Sequence, residues 1–70
     1  MIILYSTGCP QCKVLKTKLD SLNINYELIT DESIMMEKGF RSAPILEVDG
    51  EIMTFTQAIK WTKEVQTNGN

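Results

Sequence analysis

The stretch that most constrains the fold runs from residue 2 to residue 12. Ile2-Ile3-Leu4-Tyr5 is an unbroken β-branched and aromatic run, the pattern of a central strand covered on both faces. Ser6-Thr7-Gly8 ends that run. Pro10 then suits the first position of a helix, where a missing N–H costs nothing, and this puts Cys9 near the N-cap. Cys9 and Cys12 are the only cysteines of the 70 residues, and the spacing sets both thiols in the first turn of one helix.

The rest of the chain reads as support for that turn. From Gln11 to Leu22 the apolar residues Val14, Leu15, Leu19 and Leu22 recur at helical spacing, with Lys13, Lys16, Lys18 and Asp20 opposite. Asn23 and Asn25 mark the exit. Ile24, Tyr26 and Leu28 then alternate with Asn25, Glu27 and Ile29, as in a half-buried strand. Strand, helix and strand in so short a span predict a right-handed parallel crossover.

Thr30 or Asp31 is placed to cap a short helix over 32–38, which Gly39 stops in the left-handed conformation. That helix turns Ile34 and one of Met35 and Met36 inward, as core packing rather than as a partner groove. Ile45 to Val48 and Glu51 to Met53 flank Asp49-Gly50, a type I′ hairpin signal. Thr54 and Gln57 have the spacing of a capping box. They open a last helix that buries Phe55, Ala58, Ile59, Thr62 and Val65, with Trp61 at the core edge. Residues 67–70 are expected to fray. The order β-α-β, short helix, β-β-α predicts one α/β domain with a mixed four-stranded sheet.

Composition sets the class. Hydrophobic residues are 43% and charged residues 23% of the chain, the balance of an ordinary soluble globule, and no apolar run reaches the roughly 20 residues of a membrane span. The start is too short for a signal peptide and lacks its basic flank, so the expected location is cytoplasmic, where a structural disulfide is uncommon. Residues 1–22 hold Lys13, Lys16 and Lys18 against Asp20, whereas the remainder holds four basic residues against eight acidic ones. With no basic cluster, nucleic-acid binding is not expected.

The cysteine pair then calls for chemistry. A disulfide stabilises mainly by closing a long unfolded-state loop, and this loop is minimal. A thiolate attacks a disulfide far faster than a thiol does. The helix N-terminus carries roughly half a positive charge and unpaired N–H groups, which favour an anion at Cys9, and Lys13 adds to them. Cys12 lies deeper and serves as the resolving thiol, while Pro10 and Gln11 set rigidity and potential. A zinc site is the usual competitor, but it needs two more ligands, and the chain has no histidine and no third cysteine. Two structural thiols remain the bland alternative.

With the motif placed between strand and helix, and Pro44 opening the third strand, residues 1 to about 66 resemble the glutaredoxin branch of the thioredoxin superfamily. Cys9-Pro10-Gln11-Cys12 resembles that family's Cys-Pro-Tyr-Cys, with Gln11 departing from the tyrosine. The resemblance implies Cys9 as attacking thiolate and Cys12 as resolving thiol. Ala43-Pro44 resembles the family's Val-Pro, which implies a cis proline facing the site and a substrate or glutathione strand paired to the backbone of Ala43.

Gln11 and Gly39-Phe40-Arg41 also resemble the redoxins that serve ribonucleotide reductase, whose site reads Cys-Val-Gln-Cys. The family's Gly-Gly and aspartate have no counterpart in Met53-Thr54-Phe55-Thr56-Gln57-Ala58, and its basic residue three before the first cysteine is Ser6. Thr54 and Thr56, at a helix start, and Arg41 are the candidate anchors for a carboxylate.

The resemblance implies a monomeric dithiol oxidoreductase that reduces a disulfide-containing client protein, with ribonucleotide reductase as first candidate. No tightly bound cofactor is expected. Electrons come from glutathione or from a flavoprotein such as thioredoxin reductase. The competing expectations are a glutathione-dependent or iron-sulfur-cluster-binding module, and a non-catalytic interaction module on the same fold.

Overall fold

In the computed structural model, which describes residues 1–68 and the side chains of residues 1–65, the apolar run becomes β1 (Ile2–Tyr5), an interior strand. It is followed by α1 (Pro10–Ser21), β2 (Glu27–Ile29), α2 (Glu32–Glu37), β3 (Ile45–Val48), β4 (Glu51–Met53) and α3 (Phe55–Asn68). The strand order is β2-β1-β3-β4, with β1 parallel to β2 and antiparallel to β3, and β3 antiparallel to β4. The chain is therefore an α/β fold with a mixed four-stranded sheet and three helices. α3 reaches Asn68, two residues into the expected frayed tail, and residues 69 and 70 lie outside those described.

Alternation along the strands splits the core in two. Leu4, Leu46 and Met53 point to one face, where they meet Leu15 and Leu19 of α1 and Ala58 of α3. Tyr5 and Ile45 point to the other, where Met35 of α2 covers them with Ile34, Phe40 and Ala43 at the margin. Leu4, Leu15, Leu19 and Leu46 are completely buried, and each contributes about 1.5–3 kcal/mol over an exposed position.

Local chemistry explains the boundaries. After α1, Asn23 takes a left-handed backbone (φ 57°), its N–H donates to the Asp20 carbonyl and that of Ile24 to the Leu19 carbonyl. The helix thus ends in a Schellman motif. Gly39 (φ 79°) repeats the device after α2, with bonds from Gly39 to Met36 and from Phe40 to Met35. Asp31 caps α2 by accepting the Ser33 N–H at 2.9 Å. Positive φ at both Asp49 and Gly50 gives the primed hairpin, and Val48 pairs with Glu51 across it. At α3 the Gln57 carboxamide accepts the Thr54 N–H at 3.0 Å, one half of the capping box.

Three expectations change. The second strand covers only 27–29 because it pairs with three residues of β1; Ile24 and Tyr26 still pack on the core from the connection that precedes it. Leu28 is 44% exposed, since β2 is an edge strand and Lys13 and Lys16 lie beside it along one cavity. Val14 is 47% exposed, because the buried stripe of α1 runs through Cys12, Leu15 and Leu19 instead. On α2 Met35 is the methionine that turns inward, while Met36 is 77% exposed.

Candidate active site

The site sits where β1 runs out. Past Tyr5 the Ser6 N–H still donates to the Ile29 carbonyl at 3.0 Å, extending the pairing with the neighbouring strand by one residue. The chain then turns: the Ser6 hydroxyl oxygen accepts the Gly8 N–H at 3.1 Å, and Gly8 has φ +82°. That turn delivers Cys9 as the N-cap of α1, with extended backbone (φ −69°, ψ 166°) and its carbonyl accepting the Lys13 N–H at 3.0 Å.

The Cys9 sulfur takes the place of the usual capping oxygen. It accepts the Cys12 N–H at 3.2 Å, so a helix-start donor that would otherwise lack a partner points at sulfur. Opposite it, the Cys9 thiol donates to the Ala43 carbonyl at 3.7 Å. The Ala43–Pro44 peptide is cis, and Pro44 is fully buried. Both cysteines are free thiols; Cys9 is half-buried, and Cys12 is 1% exposed.

Polar neighbours offset that burial. Burial pushes the Cys12 thiol up, but hydrogen bonds with the side chains of Cys9 and Ser6 and with the backbone of Thr7 and Cys9 outweigh it and bring the thiol down to about 7. The Thr7 hydroxyl is a further partner, 3.9 Å from the Cys12 sulfur. Cys9 keeps part of its surface accessible, whereas Cys12 is buried.

Two cavities flank the turn. One, of about 290 Å³, is lined by Thr7, Cys9, Glu32, Met35, Met36, Phe40, Arg41, Ser42 and Ala43. It lies beside half-buried Cys9, and its Phe40 wall is braced by an edge-on contact with Tyr5, ring centroids 4.9 Å apart. The other, of about 310 Å³, lies beside Cys12 and is shared by Ser6, Thr7, Gly8, Lys13, Lys16, Leu28, Thr30 and Glu32.

The expected site residues thus divide. Cys9, Arg41 and Ala43 come together at the first cavity, and Cys12 and Lys13 at the second, so Lys13 flanks the buried thiol. Pro10 and Gln11 are exposed on the first turn of α1 and line neither cavity. Thr54 lies at the same end of the sheet, since Tyr5 pairs with Ile45 and Met53 with Leu46, but it follows the far edge strand. Two strand spacings, roughly 10 Å, separate it from β1. Its N–H is already held by Gln57, which removes it as a donor for a carboxylate, and Thr56 is likewise exposed and away from both cavities.

Four residues at the site have no sequence signal as strong as the cysteines. Glu32 and Thr7 border both cavities, Met36 presents an exposed apolar wall beside Cys9, and Ser6 lines the same cavity as the buried thiol. Only Ser6 carried a hint, as a small hydroxyl residue where a basic one was expected. Among the described residues no helix is long and apolar enough to cross a membrane. Among the same residues no group of three or more His, Cys, Asp or Glu stands together as a metal site. No protein-family model matches the chain, and a search of curated proteins finds no significant relative.

Proposed function

We propose that the chain is a dithiol-disulfide oxidoreductase of the glutaredoxin type, with a thioredoxin-like arrangement of its sheet and helices. The observation that carries this reading is the asymmetric thiol pair: a reachable Cys9 capping α1 and a buried Cys12 whose N–H points at the Cys9 sulfur at 3.2 Å. A structural pair has no need for one open member, whereas disulfide exchange needs an accessible attacker and a sheltered resolver.

In the proposed cycle the Cys9 thiolate attacks one sulfur of the client's disulfide and expels the other as thiolate. Cys12, as thiolate, then attacks the Cys9 sulfur. The Cys9–client bond breaks, the client leaves with both sulfurs reduced, and a Cys9–Cys12 disulfide holds the two-electron oxidation. The Ala43 carbonyl lies beside Cys9, where an extended client segment would pair with the backbone. The apolar wall of Met35, Met36 and Phe40, with Arg41 at its rim, suits a polypeptide client, with ribonucleotide reductase the first candidate.

Glutathione or a flavoprotein reductase returns the two electrons, and the reading locates the chain in the cytosol, where both are found. Cys9→Ser is expected to abolish reduction of a protein disulfide; retained turnover overturns the assignment. Supplying oxidised protein with glutathione and its reductase, or with thioredoxin reductase, and following NADPH identifies the electron source.

A further inference from the structure

Thr7 lines both cavities that flank the cysteine turn, the one beside Cys9 and the one beside Cys12. Its hydroxyl lies within hydrogen-bond reach of the Cys12 sulfur, at 3.9 Å. The other sulfur is engaged elsewhere: the Cys9 thiol donates to the Ala43 carbonyl at 3.7 Å and accepts the Cys12 N–H at 3.2 Å. Cys9 thus directs its proton away from Cys12, and the geometry sets the Thr7 hydroxyl against the buried sulfur. The backbone on either side of Thr7 is anchored, because the Ser6 N–H donates to the Ile29 carbonyl at 3.0 Å and the Gly8 N–H to the Ser6 hydroxyl at 3.1 Å. Thr62 offers a contrast: it spends its hydroxyl on the Ile59 carbonyl of its own helix, at 2.6 Å, whereas Thr7 precedes α1 and has no helical turn behind it.

We propose that Thr7 is a positioning residue for the resolving step: its hydroxyl accepts the Cys12 thiol proton in the resting protein and donates its own to the sulfur once that proton has left. A hydroxyl carries a donor and lone pairs on one rotor, so the same contact serves both states. This role rests on the exchange cycle proposed above. Cys12 first loses its proton to water, and its thiolate attacks the Cys9 sulfur of the mixed disulfide. A Cys9–Cys12 bond forms, the Cys9–client bond breaks, and the departing client thiolate takes a proton from water. A buried anion without a hydrogen-bond donor is costly, and the Thr7 hydroxyl supplies that donor before the attack.

The charged groups sharing a cavity with Cys12 are Lys13 and Lys16 of α1 and Glu32 of α2, while β2 and the residue after it add only Leu28 and Thr30. Lys16 is engaged by Asp20 at 2.9 Å. Arg41 lines the other cavity, beside Cys9, and Cys9 itself is the remaining titratable neighbour. These groups act on the Cys12 sulfur whatever side chain stands at position 7, so exchanging that side chain isolates the hydroxyl.

The test is an equilibrium titration of Cys12 in the Cys9→Ser protein, followed by the ultraviolet absorbance of the thiolate. One thiol remains there, so the midpoint belongs to Cys12. Adding Thr7→Val keeps the shape of the side chain and removes the hydroxyl, and it is expected to raise that midpoint by about one pH unit. Thr7→Ser, which keeps the hydroxyl, returns it to the parent value. A stopped-flow reaction of the two-cysteine protein with 5,5′-dithiobis(2-nitrobenzoate) then reads the consequence for resolution, as the second release of thionitrobenzoate. A more basic thiolate is the better nucleophile by roughly threefold per unit. Thr7→Val is therefore expected to resolve about threefold more slowly one unit below the parent midpoint, and two- to threefold faster two units above it.

An unchanged Cys12 midpoint in Thr7→Val overturns the proposal. So does an equal rise in Thr7→Ser, which assigns the shift to the shape of the loop, or a slowing of resolution by one factor at every pH. The titration involves no disulfide exchange, so the two readings fail separately. If the midpoint moves as expected but the two-cysteine protein shows no second release, it is the exchange cycle that fails rather than the bond between Thr7 and Cys12.

Discussion

The two faces of the sheet are built to different standards. On one, α1 and α3 together seal Leu4, Leu15, Leu19, Leu46, Met53 and Ala58. On the other, the six-residue α2 and the segment after it cover Tyr5, Met35 and Ile45, and they leave Met36 and a cavity of about 290 Å³ open beside Cys9. A chain this short buries only about 60% of its unfolded surface, so it cannot seal both faces equally. It holds the fold together on one side and keeps the other accessible, with the cysteine turn at the sheet end between them.

The sharpest way to break this comparison is to damage each face in turn. Leu46→Ala removes a side chain at the centre of the sealed face and is expected to cost about 2–5 kcal/mol. That is comparable with the whole stability of a domain of this size, roughly 4–10 kcal/mol. A urea titration should show a chain largely unfolded or close to it. A loss below about 1 kcal/mol would mean that this face is not where the stability resides.

A second effect comes from the site. The Cys12 thiol is held at about 7 in the folded protein, below its ordinary value of about 8.5. A lowered folded value means that the unfolded chain binds more protons between those limits. Stability is thus fully present above the unfolded value, and it is lost as pH falls through 7. The reduced protein is expected to gain about 2 kcal/mol between pH 6 and pH 9, read from urea midpoints in the presence of reductant. Cys12→Ser should flatten that dependence; an equal slope in the variant would assign it to another group.

The smallest effect on stability belongs to the open face. Met36→Ala is expected to stay within about 0.5 kcal/mol of wild type, while raising KM for a protein disulfide and leaving that for a small aromatic disulfide unchanged. Equal effects on both substrates would remove Met36 from the client surface.

What was legible in the sequence follows the same division. The sealed face was readable because its signals are local and periodic: the apolar run of β1, Leu15 and Leu19 one turn apart, the Asp49-Gly50 turn, and the pairing of Thr54 with Gln57. Cys9 and Cys12 were readable because the helix start dictates which thiol is outward. Leu28 and Val14 were misjudged because periodicity names a face without saying whether anything covers it, and an edge strand and a helix rim are left bare.

Thr54 and Thr56 had the right residue type at a helix start, but the Gln57 carboxamide already satisfies the Thr54 N–H, and β4 is two strands from β1. Glu32 and Met36 reach the site only because α2 returns over the end of β1. That is a tertiary fact with no local mark.

The account turns on the division of labour between the two sulfurs, and covalent trapping tests it directly. Cys12→Ser and Cys9→Ser, each fully reduced, are mixed with a disulfide-bonded polypeptide, and the products are weighed by intact-mass spectrometry. The expected result is a stable one-to-one mixed disulfide through Cys9 in the first variant and none in the second, because Cys12 is buried behind its partner. An adduct formed through Cys12 in Cys9→Ser, or none in either variant, would contradict it.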